Sequence, residues 1–80
     1  MDLIKELVML LEESKNERTQ SVACFDIGEF AKYVPFGRSI LDKWNVKEKI
    51  YELLKRSKNA DVRKEAITCL QKLVVISLNE

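Results

Sequence analysis

Leu10-Leu11-Glu12-Glu13-Ser14-Lys15-Asn16 returns 43 residues later as Leu53-Leu54-Lys55-Arg56-Ser57-Lys58-Asn59. The same shift carries Leu7 onto Ile50, Ala23 onto Ala66, Ile27 onto Leu70 and Phe30 onto Leu73. A leucine pair, a Ser-Lys-Asn break and then apolar residues at three- and four-residue spacings describe a helix, a polar turn and a longer helix. The chain writes that unit twice.

A helical unit with a period near 40–47 residues is the mark of HEAT and armadillo arrays. Small Ala23 and Ala66 let a neighbouring helix come close, the leucines fill the layer between helices, and Ser-Lys-Asn ends one helix and caps the next. The expected fold is all-α, a right-handed α–α superhelix of about two HEAT/armadillo-like repeats. Residues 1–80 read as one domain: repeat one over about 1–36, a short helix over 37–45 and repeat two over about 46–80. Two units are fewer than such arrays normally stack. The chain therefore reads as the C-terminal end of a longer solenoid, closed by polar Asn79-Glu80.

The elements follow from local chemistry. Asp2 to Glu13 is helical, with apolar Leu3, Ile4, Leu7, Val8, Met9, Leu10 and Leu11 forming a stripe wider than one core face needs. That surplus suits stacking by a preceding unit; uncovered, it would pair two copies through Leu3, Leu7, Leu10 and Leu11. Ser14 to Thr19 is a polar turn in which Asn16 or Thr19 caps the second helix. That helix buries Ala23, Ile27, Phe30, Ala31 and Val34 and stops before Pro35, since the residue before proline avoids helical angles. Gly28 inside it costs about 1 kcal/mol relative to Ala, which a close helix crossing would explain. Phe36-Gly37 is a turn, and Ser39 to Lys43 a short helix with Ile40, Leu41 and Trp44 on one side. Val46 to Arg56 turns Ile50, Leu53 and Leu54 inward and offers a Glu52–Arg56 pair. Asn59 caps the last helix, whose stripe is Val62, Ala66, Leu70, Leu73 and Val74.

The 80 residues carry 14 basic and 13 acidic side chains, a net charge of +1. That balance gives no strong field for nucleic acid or anionic lipid. The local cluster Lys55, Arg56, Lys58, Arg63 and Lys64 reads as a solvated turn. No apolar run approaches the ~20 residues that a membrane span needs, and no basic-then-apolar leader opens the chain. Cys24 and Cys69 form no CxxC pair, and histidine is absent, so the usual zinc patterns are missing. Two thiols in helical patterns suit a reducing cytosolic compartment, although a disulfide between them is compatible with the sequence.

Catalytic signals are weak. Without histidine there is no His-based triad. Asp26 and Glu29, one turn apart, suit an exposed polar face better than an acid–base pair, and isolated Gly28 and Gly37 make no phosphate loop. No catalytic residue, cofactor or metal is expected. The candidate partner-binding residues are Lys32, Tyr33, Phe36, Arg38, Lys43 and Trp44, because aromatic residues and Arg dominate binding hot spots. The competing reading is that Phe36 and Trp44 close the core between the units.

Val22-Ala23, Asp26-Ile27-Gly28-Glu29-Phe30, Pro35-x-Gly37-Arg38, Ile40-Leu41 and Lys47 together resemble the C-terminal domain of the regulatory H subunit of the vacuolar proton ATPase. The resemblance continues through Asp61-Val62-Arg63, Glu65-Ala66 and Gln71-Lys72-Leu73-Val74-Val75, covering about residues 22–76. The chain departs from the family at Phe36, where a basic residue is common, and at Trp44-Asn45-Val46, where Leu-Gly-Gly is common. The resemblance implies a noncatalytic cytosolic component bridging the peripheral and membrane sectors of a rotary pump at the vacuolar or endosomal membrane. It also implies contacts with stalk subunits that silence ATP hydrolysis in the detached sector. The rival expectation is a general HEAT/armadillo adaptor that takes a peptide or helix in its groove.

Overall fold

In a computed structural model every described element is a helix: α1 Asp2–Glu13, α2 Glu17–Tyr33, α3 Gly37–Lys43, α4 Val46–Arg56 and α5 Ala60–Leu78. The structure describes residues 2–78, with side chains for residues 3–75; Asn79-Glu80, expected to close the last helix, lie outside them. α1 and α4 lie side by side in one layer and α2 and α5 in the other, while α3 bridges α2 to α4. The α2–α5 seam is the most extensive. The helices make one body with a radius of gyration of 11.5 Å, close to the ~12 Å that scaling gives for this length.

The two polar turns share one hydrogen-bonding scheme at the 43-residue shift, to which the second adds a bond from Asp61 N to Asn59 Oδ1 at 2.9 Å. Ser14 N donates to Leu10 O, and Ser57 N donates to Leu53 O. Asn16 N reaches Ser14 Oγ at 3.1 Å, and Asn59 N reaches Ser57 Oγ at 3.2 Å. Asn16 Oδ1 accepts from Thr19 N at 2.9 Å; Asn59 Oδ1 accepts from Val62 N at 3.0 Å. Even the side chain that satisfies the turn carbonyl recurs. Gln20 Nε2 donates to Ser14 O at 2.8 Å and Arg63 Nη1 to Ser57 O at 3.3 Å. Asn16 rather than Thr19 is the first cap, so the turn is three residues long and Thr19 already lies within α2.

The core joins Ile4, Leu7, Val8 and Leu11 of α1 to Ala23, Cys24, Ile27, Phe30 and Ala31 of α2. Leu41, Val46, Ile50, Leu53, Val62, Ala66, Cys69 and Leu73 complete it. Each large side chain removed from water here contributes roughly 1.5–3 kcal/mol before entropy is charged. Leu7 and Leu11 are therefore core residues, unavailable to the α1-to-α1 pairing expected from the sequence; the exposed apolar residues of α1 are Leu3, Met9 and Leu10. Val74 is likewise exposed, and the period of α5 is closed by Cys69 instead. Val34, Ile40, Leu54 and Leu70 pack against the core from its edge.

The basic turn has a structural role. Arg56 donates to Leu11 O at 2.6 Å, satisfying a carbonyl at the end of α1 rather than pairing with Glu52, which faces Lys55 at 3.8 Å. Arg63 reaches Leu54 O at 2.6 Å and does the same for α4. Leu11 and Leu54 are again equivalent positions. Across the two units Lys49 meets Glu12 at 3.0 Å, and Lys72 meets Glu29 at 3.1 Å. Lys72 lies over Gly28, where a Cβ would sit 3.0 Å from its Cδ and 3.8 Å from Cys69 Sγ, so side chains of α5 take the space that the glycine leaves.

Candidate partner-binding surface

The corner between α2 and α4 is built by two residues in the left-handed region. Pro35 stops α2, leaving Val34 extended at φ −91° and ψ 125°. The chain then turns through Phe36 at φ 61°, and Gly37 N donates to Val34 O at 2.8 Å. Gly37 is the residue best able to adopt positive φ, yet Phe36 adopts it. The reason is space. A Cβ on Gly37 would lie 2.7 Å from Phe30 O and 3.2 Å from Ala31 Cα, so α3 can begin against the backbone of α2 only with glycine there. This is also why α3 starts at Gly37, two residues before the expected Ser39. At the far end of α3, Asn45 reverses the chain at φ 54°, a conformation that Asn tolerates better than most residues.

This corner presents the aromatic residues singled out from the sequence. Phe36 is 81% exposed and Tyr33 69% exposed. Neither closes the core. Trp44 is about one-third exposed at the α3–α4 junction and lies partly against the body. Lys32 Nζ sits 5.2 Å from the centre of the Tyr33 ring. Arg38 Nη1 bonds Asp42 Oδ2 at 2.9 Å along α3, which holds its guanidinium at the surface beside Phe36 in sequence. Lys43, in the last turn of α3, is exposed. The corner is therefore an aromatic edge with flanking positive charge. Phe36 and Tyr33 lie at one end of α3, and Trp44 and Lys43 at the other.

A second exposed feature did not stand out in the sequence. Val22 and Phe25 lie off the buried stripe of α2 and border an open 320 Å³ groove with Asp61, Lys64 and Glu65 of α5. Lys72 Nζ lies 5.0 Å above the Phe25 ring, so one lysine joins Glu29 and Phe25 across the seam. The signal available was apolar residues at positions that the 3.6 period assigns to solvent.

The remaining chemistry is muted. Burial, with a contribution from Glu65, pushes the Cys24 thiol up to about 11. Burial first, then Cys24 and Glu65 against an opposing Lys72, pushes Cys69 up to about 12. Both thiols are free and protonated at neutral pH, which denies them nucleophilic character. Among the described residues no group of His, Cys, Asp and Glu is arranged to hold a metal, and no helix is long and apolar enough to cross a membrane.

A family model describing the H subunit of the V-ATPase matches residues 1–77. The H subunit of the V-type proton ATPase of Drosophila melanogaster is 40% identical over 74 residues, 92% of this chain and 16% of the relative. A Caenorhabditis elegans protein named as probable H subunit 1 of the V-type proton ATPase is 38% identical over 74 residues, with the same coverage. Its probable counterpart in Oryza sativa subsp. japonica is 31% identical over 71 residues, 89% of this chain and 16% of the relative. The chain thus spans about one-sixth of the length of these relatives. No solved structure matches it.

Proposed function

Because the chain belongs to the V-ATPase H-subunit family, we propose that it is a noncatalytic, regulatory and bridging part of a proton-transporting ATPase, binding other subunits of the pump. Its role would be mechanical. Holding a rotating and a stationary element together blocks their relative motion, so a segment that binds both couples the peripheral and membrane sectors and restrains ATP hydrolysis when the sectors separate. On this reading the chain supplies a surface, while ATP hydrolysis and proton transfer belong to other subunits. It acts at the cytoplasmic side of a vacuolar or endosomal membrane, held there through the pump. Two helical units, about 1–36 and 46–80, form the platform and the helix between them carries the contact edge.

The observation that supports this reading best is the exposed Phe36, held at positive φ beside Tyr33. A bulky residue in that conformation costs roughly 1–2 kcal/mol, and at 81% exposure it gains little from burial in return. Such a cost is offset when the side chain binds something. Lys32, Tyr33, Phe36, Arg38, Lys43 and Trp44 are the proposed contact residues. The test is capture of the isolated peripheral ATPase sector by this chain, followed by an ATPase assay. Capture with reduced hydrolysis supports the reading, and failure to bind the sector removes it.

The rival reading, a peptide-binding adaptor, has the α2–α5 groove with half-exposed Phe25 and Val22 in its favour. Selection of a linear motif from a peptide library, lost on Phe25→Ala, would favour it over the pump reading.

A further inference from the structure

α2 carries a second stripe, off the core. Val22, Phe25, Glu29 and Tyr33 recur there at spacings of three and four residues, and about half or more of Val22, Phe25 and Tyr33 is exposed. α5 runs beside it in parallel. Asp61 borders Val22 at one end of the seam, Lys72 meets Glu29 further along, and Val75 borders Lys32 at the other end. The equivalents of Val22, Phe25 and Glu29 at the 43-residue shift are Glu65, Thr68 and Lys72, so the two helices set matching rows on one face. Open grooves of 330, 320 and 260 Å³ follow one another along those rows. A unit stacked before the first or after the second, in the relation the two bear to each other, would lie beside α2 or α5 and leave this face open. Its exposure belongs to the two-layer arrangement and not to where a stack stops.

Charge is matched at one part of the seam and unmatched at another. Lys72 is satisfied by Glu29 and by the Phe25 ring. Asp61 and Glu65, one turn apart on α5, share the 320 Å³ groove with Val22 and Phe25, and no ion pair engages either carboxylate among the described residues. Glu65 is half-buried. Its charge helps to raise both buried thiols, which sets the carboxylate close over the seam. Glu17 borders the adjoining groove, so carboxylates outnumber the bases Arg18 and Lys64 at this end.

These features specify an occupant. Half-exposed apolar side chains call for apolar cover. An unpaired, half-buried carboxylate beside an aromatic ring suits a guanidinium, which takes a carboxylate through two parallel N–H bonds and lays its flat face on the ring. The walls of the groove are helix sides, with their backbone groups bonded within their own helices. They offer an extended segment no backbone partners, so the occupant must satisfy its own backbone, as a helix does.

We infer that the α2–α5 face docks an amphipathic helix of a partner protein, its apolar side chains on Val22 and Phe25 and an arginine one turn further on held by Glu65 and Asp61. This contact is separate from the corner at Phe36 and rests on the groove alone, whether or not that corner binds the pump.

The experiment uses two labelled helical peptides, held helical by a hydrocarbon staple. One carries leucines at i, i+3 and i+7 with arginines in its last turn; the other has glutamates in place of the arginines. Fluorescence anisotropy reads their binding to the purified chain, and circular dichroism checks that each variant is folded. The arginine peptide should bind with a Kd on the order of 10–100 μM and the glutamate peptide at least about tenfold more weakly, a gap that narrows as salt rises. Phe25→Ala should weaken the arginine peptide about tenfold or more. Asp61→Asn/Glu65→Arg should reverse the preference towards the glutamate peptide, a gain that a merely damaged surface does not give. Phe36→Asn should leave the binding unchanged, which separates this contact from the corner. Equal binding of the two peptides overturns the proposal, as does an arginine peptide that binds no tighter than about 1 mM. So does binding that survives Phe25→Ala, keeps its preference in Asp61→Asn/Glu65→Arg, or is lost in Phe36→Asn.

Discussion

At the scale of single residues, the corner at Phe36 and Gly37 carries the sharpest expectations. Phe36→Asn keeps the turn, relieves the positive-φ cost and removes a side chain that is almost wholly in water. It should raise stability by about 1 kcal/mol, read as a higher urea midpoint with an unchanged slope. Gly37→Ala should lower stability by roughly 1–3 kcal/mol, because the new Cβ meets backbone that cannot step aside. The stop at Pro35 was legible in the sequence; the exchange of roles between Phe36 and Gly37 was not. Residue preference assigns positive φ to the glycine, and only the approach of α3 to Phe30 O reserves that glycine for close packing. The buried thiols give a pH expectation. Both hold their protons to a higher pH in the folded state than in the unfolded chain, with values of about 11 and about 12 against an ordinary 9.0. Well below pH 9 both states keep their protons and stability is complete. Above it the unfolded chain releases protons first, so stability should fall as pH rises towards 11–12, visible as a lower urea midpoint at pH 10 than at pH 8.

At the scale of elements, the two polar turns are duplicates and should respond alike. Asn16→Ala and Asn59→Ala each remove a side-chain acceptor at a helix start. Each should cost about 1 kcal/mol, and the thermal melts of the two variants should shift downward by similar amounts. A large effect at one site with none at the other would contradict the equivalence. Helix identity and ends were legible at this scale because caps and breakers are local. α1 and α4 run over the residues that their apolar spacing and flanking Ser-Lys-Asn turns indicate. The basic cluster was legible only as solvated charge. That Arg56 and Arg63 reach the carbonyls of Leu11 and Leu54 depends on how one unit sits on the other, which spacing along one helix does not record.

At the scale of the whole molecule, what escaped the sequence is which apolar face is covered. Periodicity marks Leu7, Leu11 and Val74 alike, yet the first two are core and the third is surface. The difference lies in whether a neighbouring helix is present, a property of the stack and not of the helix. The proposed contact edge rests on residue type, since Tyr33 and Phe36 are aromatic residues beside a forced turn. Their exposure was not, because large aromatics are buried on average. Trp44 illustrates the division, lying partly against the body at the other end of α3. The most direct test of the account is the affinity of this chain for the isolated peripheral ATPase sector, measured for the wild type and for Tyr33→Ala/Phe36→Asn after both are shown to be folded. The account predicts that the wild type binds and that the variant binds at least about tenfold more weakly, a change of about 1.4 kcal/mol. Equal affinity of the two, or no binding by either, would contradict it.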